Sequence, residues 1–360
     1  MEGLHFLDVP IVSSLEDPDH GWKYLGMEVV EQTCWEESFG NADVARTAHE
    51  MVVTRSNEEE MGYHWIVAVE GDESQVIGMA EVAFFKKNNL DKVEASICVL
   101  PSHRRRGVGS ALNQWCEQTA RDLGRSLVSM WTQYGPHEDR GPRIEVGDGS
   151  SVPAETPGVS FLVKHGYEIA QVERNSMMDI PMDPAQEATI MSRILPFTDG
   201  YRLHTWESLI PDEWVDEYAR LLEAFSLDAP MGGIDWEKET WDRDRVLRKM
   251  SDLRSKGTVC LITVAEQVAT SQLVGCTELR WRPTRDSAEQ WITEVVEEHR
   301  GHRLGMWMKL TNLDSMMAKG PGIRRLYTDN AEENGPMLDI NVAMGFKPHG
   351  SYVLLKKTLD

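Results

Sequence analysis

The feature that most constrains the fold is an arginine-glycine string that occurs twice. "RRRGVG" begins at Arg104 and "RGHRLG" begins at Arg300, and each lies between an apolar, β-branched run and a segment with helically spaced apolar residues. A meander of strands precedes each string, and a strand, a short helix and a closing strand follow it. This shared order predicts that the chain is a tandem repeat of one fold.

The segments around the first string define the repeating unit. Its predicted elements are the strands "YHWIVAVE", "QVIGMAEVAFF" and "KVEASICVL", the helix "GSALNQWCEQTARDLG", the strand "SLVSMW", the helix "VSFLVKHG" and the strand "YEIAQVERNSMMDI". In the second copy the helices "DEWVDEYARLLEAF" and "DRVLRKMSDLRSKG" precede the strands. A meander followed by alternating helices and strands predicts an α/β fold with a mixed sheet in each copy.

Prolines and a glycine interrupt the pattern between the copies, in "PMDPAQEATIMSRILPFTDG". We therefore predict a first domain at 1–182, a linker at 183–198 and a second domain at 199–360. The first copy is longer than the second because it contains the stretch "QYGPHEDRGPRIEVGDGSSVPAE", from Gln133 to Glu155. Glycines, prolines and charged residues dominate this insertion, so we predict an irregular, mobile loop.

Composition argues against several classes of function. The formal net charge of −22 opposes any large contact with nucleic acid or an anionic membrane, since both bind through clustered lysine and arginine. No apolar run is long enough to span a bilayer, and the start of the chain lacks the pattern of a signal peptide. Five scattered cysteines without CxxC spacing predict reduced thiols in a cytoplasmic protein that binds no metal.

The repeated string has a direct physical interpretation. A glycine-rich turn between a strand and a helix presents unpaired backbone N–H groups and the positive end of the helix dipole to one point. Glycines let a pyrophosphate approach the backbone closely, and arginines add charge-assisted hydrogen bonds. One such string is a weak signal, whereas two strings in the same context predict two phosphate-binding turns.

These strings resemble the first signature of the GNAT superfamily of acyl-CoA-dependent N-acyltransferases, V-x-P-x-x-R/Q-x-x-G-x-G/A. "VLPSHRRRGVG" matches that signature throughout. "VVEEHRGHRLG" departs from it at Glu297, where proline is usual, and at Arg303, where the first glycine is usual. The resemblance covers nearly the whole chain, and the two-domain layout is similar to that of mycothiol synthase-like actinobacterial proteins.

The superfamily's second signature, N-x-x-A-x-x-L-Y-x-x-x-G-F, resembles the segments before each closing strand. In the second copy Asn334 falls on the asparagine of the signature and Asn341 on its tyrosine. In the first copy the same places hold Glu155 and Leu162. Both copies therefore lack the tyrosine.

The resemblance implies tandem GNAT domains with acetyl-CoA, or another short acyl-CoA, as co-substrate. Pantetheine would lie between two splayed parallel strands whose ends carry Val99 and Leu100 in the first copy, and Val295 and Val296 in the second. The pyrophosphate would lie on the turns. The implied binding residues there are Arg104, Arg105, Arg106, Gly107, Val108, Gly109 and Ser110 in the first copy, and Arg300, Gly301, His302, Arg303, Leu304, Gly305 and Met306, with Asn334, in the second.

The superfamily's reaction needs a base for the attacking amine and an acid, usually the tyrosine, for the leaving thiolate. Leu162 cannot handle a proton, whereas Asn341 is polar. We therefore predict that the second copy is active, with Glu294 as the base and Asn341 beside the thioester. Glu94 is the analogous candidate in the first copy, where the insertion would border the acceptor cleft.

The acceptor is inferred from charge alone. The stretch "SLDAPMGGIDWEKETWDRD" lies where this fold usually covers the acceptor, and it is rich in Asp and Glu. It suits the primary amine of a small, cationic molecule, although an ordinary acidic surface explains it equally well. An antibiotic, a metabolite or a thiol precursor fits the resemblance, and the oligomeric state stays open.

Two other classes of function stay open. The missing tyrosines favour a catalytically silent acyl-CoA binder that acts as a sensor or sequestering protein. In that case Glu294 is an ordinary strand residue, and Asn341 caps a helix or faces solvent. A tandem transferase that uses aminoacyl-tRNA also pairs two such domains, but the charge of −22 counts against it.

Overall fold

The computed structural model describes residues 3–71, 75–147, 149–228 and 232–360, and the chain divides into two compact units. The first unit comprises Met1–Glu173, Met231–Glu237 and Gly350–Asp360, and the second comprises Arg174–Pro230 and Lys238–His349. The predicted domains follow chain order and assign the end of the chain to the second copy. The structure assigns that end to the first unit.

The first unit has a mixed sheet with a parallel pair near its middle. Its elements are β1 (Leu4–Asp8), α1 (Gly21–Phe39), α2 (Ala48–Ser56), β2 (Met61–Glu70), β3 (Gln75–Phe85), β4 (Lys92–Val99), α3 (Val108–Asp122), β5 (Leu127–Tyr134), β6 (Arg143–Glu145), β7 (Ser151–Pro153), α4 (Pro157–Lys164) and the start of β8 (Glu168–Asp179). The strand order is β1-β2-β3-β4-β5, in which only β4 and β5 are parallel.

The second unit repeats this order. Its elements are the end of β8, α5 (Pro184–Ile194), β9 (Tyr201–Glu207), α6 (Val215–Asp228), α7 (Arg243–Ser255), β10 (Val259–Gln267), β11 (Gln272–Trp281), β12 (Ser287–Val295), α8 (Leu304–Lys319), β13 (Arg325–Ala331), α9 (Gly335–Met344) and the start of β14 (Lys347–Thr358). The strand order is β9-β10-β11-β12-β13-β8, with β12 parallel to β13. The predicted tandem α/β fold with mixed sheets is confirmed.

The sheet of the second unit has a separate core on each face. Leu261 of β10 packs in one core with Leu310 of α8, whereas the next residue, Ile262, packs in another with Leu221 of α6 and Met250 of α7. Consecutive strand residues point to opposite faces of a sheet. We call these the α8 face and the α6 face.

The segment predicted as an irregular linker is mostly helical. Pro184 occupies the first position of α5, where its missing N–H costs nothing, and the Asp183 side chain accepts a hydrogen bond from the N–H of Ala185. Ile190 and Ile194 are buried in the core of the second unit. The proline that suggested a break instead starts a helix.

The sequence predicts an irregular loop for the insertion between Gln133 and Glu155, but part of this insertion is regular. Strands β6 and β7 form an antiparallel hairpin in which Ile144 lies opposite Val152. Val152 is fully buried in the core of the first unit, so the hairpin is anchored by apolar burial. Residue 148 lies outside the described residues, and the mobility of the insertion stays a prediction.

The last strand of the chain completes the first sheet. The end of β14 pairs antiparallel with β5 from Ser351 opposite Tyr134 to Thr358 opposite Leu127. Leu355 of this segment is fully buried in the core of the first unit. The stability of the first unit therefore depends on residues at the far end of the sequence.

We expect Leu355→Ala to lower the free energy of unfolding of the first unit by about 2–5 kcal/mol, because it leaves a cavity in a packed core. Urea unfolding followed by tryptophan fluorescence measures the change, since Trp35 contacts Tyr352 on the same strand. The neighbouring change Lys356→Ala, at a half-buried residue, is the matched control and should cost much less. Equal costs for the two variants would contradict this assignment.

Candidate functional site

The two arginine-glycine turns have the same backbone form. Each follows a strand and a single turn of 3-10 helix and leads directly into a helix, α3 or α8. Arg105 and Gly107 have positive φ angles of 62° and 88° in the first turn, and Gly301 and Arg303 have 87° and 60° in the second. Alternating left-handed residues before a helix turn successive N–H groups towards one point, which forms an anion-binding nest.

Arg303 keeps this form although it replaces a glycine of the signature. Its φ and ψ of 60° and 16° lie in the left-handed region, where a side chain costs about 1–2 kcal/mol. Its guanidinium lies 5.7 Å from the centre of the Phe197 ring, an arrangement that offsets part of this cost. The departure at Arg303 therefore leaves the backbone of the second turn intact.

The first arginine of each turn fastens the turn to the strand before it. Arg104 Nε donates to the carbonyl of Val99 at 3.1 Å, and Arg300 Nε donates to the carbonyl of Val295 at 2.9 Å. The guanidinium of Arg104 also donates to Glu37 of α1 at 2.9 Å. These arginines hold the shape of the turn, so the backbone N–H groups that follow are the main donors available to a pyrophosphate.

The parallel strands beside each turn separate before they end. Strand β4 pairs with β5 only as far as Ala95 opposite Met130, although β4 continues to Val99. In the second unit the pairing of β12 with β13 ends at Gln290 opposite Thr328, and β12 continues to Val295. Each unit therefore has an open gap between two parallel strands that leads to its turn.

The ends of β4 and β12 direct backbone groups into these gaps. The N–H of Leu100 donates to the carbonyl of Ile77 at 2.9 Å, and the N–H of Val296 donates to the carbonyl of Val274 at 3.0 Å, so both point away from the gap. Backbone groups of consecutive strand residues point to opposite sides. The N–H groups of Val99 and Val295 therefore face the gaps, where an extended ligand with amide groups can pair with them.

Glu294 lies near the end of β12, on the α6 face. Thr293 lies on the α8 face. A Cβ placed on Gly305 of α8 would be 3.6 Å from the methyl group of Thr293. Glu294 is 6% exposed, and its carboxylate lies 3.4 Å from the guanidinium of Arg300. The second unit thus holds a buried carboxylate, paired with the turn arginine, beside the gap.

The counterpart of Glu294 in the first unit is Cys98 rather than Glu94. Val99 lies opposite Gly78 just as Val295 lies opposite Gly275, so the residue before each valine corresponds. A hydrogen bond with Cys34 and burial raise the pKa of the Cys98 thiol well above its usual range, so this thiol is not a base. Glu94 lies opposite Ser129, where β4 and β5 are still paired.

Asn341 is buried on α9 and both ends of its amide are engaged. Its Oδ1 accepts from Lys309 Nζ at 2.5 Å, and its Nδ2 donates to Asn330 Oδ1 of β13 at 2.6 Å. It therefore neither caps a helix nor faces solvent. Asn334 caps α9 through a bond from the N–H of Met337, and Leu162, at the place of Asn341 in the first unit, is buried in the apolar core.

The α1 side of the first gap is closed by close packing. A Cβ on Gly135, just after β5, would lie 1.7 Å from the carbonyl oxygen of Ser38 at the end of α1. A Cβ on Gly350 would lie 2.3 Å from the ring of Phe39. Cys34 of α1 donates to the carbonyl of Val99 at 3.7 Å. Helix α1 therefore packs directly on the strand ends.

The second unit has a groove on its α6 face. The groove encloses about 470 Å³ and is lined by Arg220, Gln272, Val274, Val296, Glu297 and Glu298, among others. Arg220 and Ala224 belong to α6, so the groove lies on the α6 face, the face that carries the Glu294 side chain. Its two glutamates give the groove an acidic rim next to the second turn.

A cluster of buried, oppositely charged side chains stabilises the α6 face of the sheet. Glu278 of β11 is fully buried and accepts hydrogen bonds from Tyr218, Lys249 and Arg280. Burial alone would raise the pKa of Glu278, but Lys249 and Arg280 hold it well below its usual range. In the first unit Glu81 of β3 has a related ion pair with Arg46, at 2.9 Å.

We expect Glu278→Gln to lower the free energy of unfolding near pH 7 by about 3–5 kcal/mol, because two cations lose their buried partner. Since the folded pKa is depressed, this contribution is present above the unfolded pKa and is lost as the pH falls towards the folded value. Urea unfolding near pH 7 and near pH 3 should show a smaller difference between wild type and variant at the lower pH. Glu298→Gln, at an exposed residue, is the control.

Sequence reasoning missed two residues of these sites. Cys98 was overlooked although it precedes Val99 just as Glu294 precedes Val295, so the two aligned strings already pair these residues. Lys309 was overlooked although it is the single charged residue in "LGMWMKLTNL", four residues after Gly305. The part of the chain covered by the structure contains no group of His, Cys, Asp and Glu that could hold a metal and no helix apt to cross a membrane.

The order of strands and helices and the two turns together define a tandem GNAT fold. Over nearly its whole length the chain is similar to a tandem GNAT protein from the clavulanic acid biosynthesis pathway, with 22% identity, a TM-score of 0.70, and coverage of 99% of this chain and 98% of that one. A GCN5-related N-acetyltransferase from Sphaerobacter thermophilus shows 15% identity and a TM-score of 0.61, with coverage of 98% and 95%. Residues 26–138 match the acetyltransferase (GNAT) family.

The chain is therefore a tandem GNAT-fold protein, and the GNAT resemblance inferred from its motifs is confirmed. These matches support acyl transfer as the general activity. No curated protein matches the chain. The narrower likeness to mycothiol synthase-like proteins stays a prediction.

Proposed function

We propose that the chain is an N-acetyltransferase that transfers an acetyl group from acetyl-CoA to the primary amine of a small, cationic molecule, with the second unit as the active copy. The observation that carries this proposal is the position of Glu294. Its carboxylate lies beside an open strand gap, next to a nest-forming turn and on the same face as a groove. Cys98 takes that place in the first unit.

The turn and the gap account for acyl-CoA as donor. The pyrophosphate fits the N–H groups of Gly301 to Met306 at the start of α8. The pantetheine amides fit the N–H of Val295 in the gap. The same arrangement exists in the first unit with Arg105 to Ser110 and Val99, so both units are proposed to hold acyl-CoA.

In the second unit Glu294 would accept, directly or through water, the one proton that the neutral amine of the acceptor loses as it becomes an amide. The amine nitrogen then forms a bond with the acyl carbon, the C–S bond breaks, and the electron pair leaves with sulfur as CoA thiolate. Arg300 lies 3.4 Å from the Glu294 carboxylate and holds it beside the turn. The acidic rim at Glu297 and Glu298 favours a cationic acceptor.

The first unit is better suited to binding than to turnover. Its gap is covered by α1, its base position holds the thiol Cys98, and its acid position holds Leu162. If the second unit is also silent, the whole chain is an acyl-CoA-binding sensor or sequestering protein. Release of thiol from acetyl-CoA on addition of amines separates these two functions.

We expect wild-type protein to release thiol from acetyl-CoA with at least one member of a panel of small cationic amines. Glu294→Gln should lower kcat/KM by about 10²–10⁴-fold, the usual contribution of a general base. Glu289→Gln, at the paired end of the same strand, is the matched control and should keep the rate. No thiol release with any amine would favour the silent binder, and an unchanged rate in Glu294→Gln would remove Glu294 as base.

We also expect calorimetry with CoA to show a loss of one site in Gly109→Glu and of the other in Gly305→Glu. Each substitution puts a carboxylate where the pyrophosphate would bind, so charge repulsion and bulk oppose the ligand. A Cβ at Gly109 lies 3.3 Å from the Phe161 ring, so circular dichroism must confirm that this variant folds. An unchanged stoichiometry in either folded variant would reject two sites.

A further inference from the structure

Lys309 of α8 is a buried cation that the reaction described so far does not use. It is 1% exposed, and its Nζ donates to Asn341 Oδ1 at 2.5 Å. Its other neighbours are the Met337 sulfur at 3.9 Å and the Phe346 ring at 5.8 Å. No carboxylate is among the partners that the structure describes for this lysine, which is unusual for a charged group at such depth.

The position of Lys309 places it on the wall of the second gap. Residues four apart share one face of a helix, so Lys309 lies on the same face of α8 as Gly305. A Cβ on Gly305 would be 3.6 Å from both Thr293 of β12 and Ile340 of α9. That face of α8 therefore meets the separated part of β12 and the helix that carries Asn341.

Asn341 links Lys309 to the other strand of the gap. Asn330, which accepts from Asn341, follows Thr328, the last residue of β13 that pairs with β12. The three side chains form one hydrogen-bonded chain, from ammonium to amide to amide, that ends on the separated part of β13. The chain of polar groups is thus built into the gap that the acyl-CoA would enter.

The first unit lacks both parts of this arrangement. The residue four positions after Gly109 is Asn113, whose Nδ2 donates to Glu117 of its own helix at 2.8 Å. The residue at the place of Asn341 is the buried, apolar Leu162. Lys309 therefore lies in the second unit, which also contains Glu294 and a polar residue, Asn341, for the lysine to bind.

Burial makes Lys309 responsive to charge in the gap. Loss of solvation lowers its pKa to about 7. The ionised groups of the surrounding elements have other partners or face solvent: Glu294 and Arg300 pair, Asp329 binds Asn175, Arg174 binds Glu332, and Asp314 and Asp339 are exposed. A new negative charge nearby would therefore favour its ammonium form.

We propose that Lys309 is a positioning residue that, through Asn341, stabilises the CoA thiolate as it leaves in the second unit. This inference rests on the proposed function of that unit. The ammonium holds Asn341 Oδ1 and polarises the amide, so its Nδ2 becomes a stronger donor. Asn330 takes one Nδ2 hydrogen and the thiolate takes the other. The C–S electron pair stays on sulfur, the acceptor's proton goes to Glu294, and no further reactant is needed.

The direct test follows the Lys309 side chain by NMR. In protein with ¹³C-labelled lysine, the Lys309 Cε signal is the one that disappears in Lys309→Met. We expect it to titrate near pH 7 in the free protein. Excess CoA should raise that pKa by about one unit, equal to a tenfold preference for the thiolate. Desulfo-CoA keeps the phosphates and lacks only the sulfur, so it should raise the pKa of Lys309 by clearly less.

A second measurement separates this role from simple packing. Lys309→Met removes a buried cation that is costly to desolvate, so we expect the variant to have a higher Tm than wild type. The increase in Tm should be larger near pH 6 than near pH 10, because Lys309 is mostly neutral at high pH. In the same variant, the ratio of the affinity for CoA to the affinity for desulfo-CoA should fall about tenfold. Lys319→Met, at an exposed residue of the same helix, is the matched control and should change neither property.

The outcomes distinguish this inference from the function on which it rests. If CoA and desulfo-CoA both perturb the Lys309 signal equally, the second unit binds the ligand but Lys309 does not sense the thiolate, and the inference is wrong. If neither ligand perturbs Lys309 and Gly305→Glu leaves the stoichiometry unchanged, the proposed donor site itself is wrong. A larger rise in the pKa of Lys309 with CoA than with desulfo-CoA supports both.

Discussion

The incomplete pairing of two parallel strands is the constraint on which both sites depend. In each unit the ladder between the central parallel strands stops after four paired positions, at Ala95 opposite Met130 and at Gln290 opposite Thr328. Beyond that point, backbone groups of β4 and β12 face a gap rather than a neighbour, and unpaired backbone groups are costly to bury. A ligand with its own amides can satisfy them. The turn that follows each strand then meets the anionic end of that ligand.

The two units use this frame differently because of the side chains around it. The turn arginine is bound to its strand in both, but its carboxylate partner is Glu37 of α1 in the first unit and Glu294 of β12 in the second. The first arrangement draws α1 onto the strand ends. The second keeps a carboxylate beside the gap and leaves a groove open on the α6 face. Under the proposed function, one fold would serve retention in one copy and reaction in the other.

The repeat, the turns and most elements were predictable because they are encoded by local patterns. The "RRRGVG" and "RGHRLG" strings lie where predicted, between a strand and a helix. Predictions failed where distant residues decide the outcome. Pro184 of the predicted linker starts α5, whose Ile190 and Ile194 are buried in a core, and the insertion contains a hairpin anchored by the buried Val152. The Glu94 assignment was wrong for another reason: the two strings themselves pair Cys98, the residue before Val99, with Glu294, the residue before Val295.

The sequence by itself determined that the chain repeats one α/β unit and carries two arginine-glycine turns between a strand and a helix, since strand, helix and turn propensities act over a few residues. Only the tertiary structure decided which side chains meet. Asn341 looked like a weak substitute for a missing tyrosine until α8 brought Lys309 within hydrogen-bond distance of it. The last strand looked like the end of the second copy, yet Leu355 is buried in the core of the first unit. Such contacts join residues far apart in the chain, and local patterns contain no information about them.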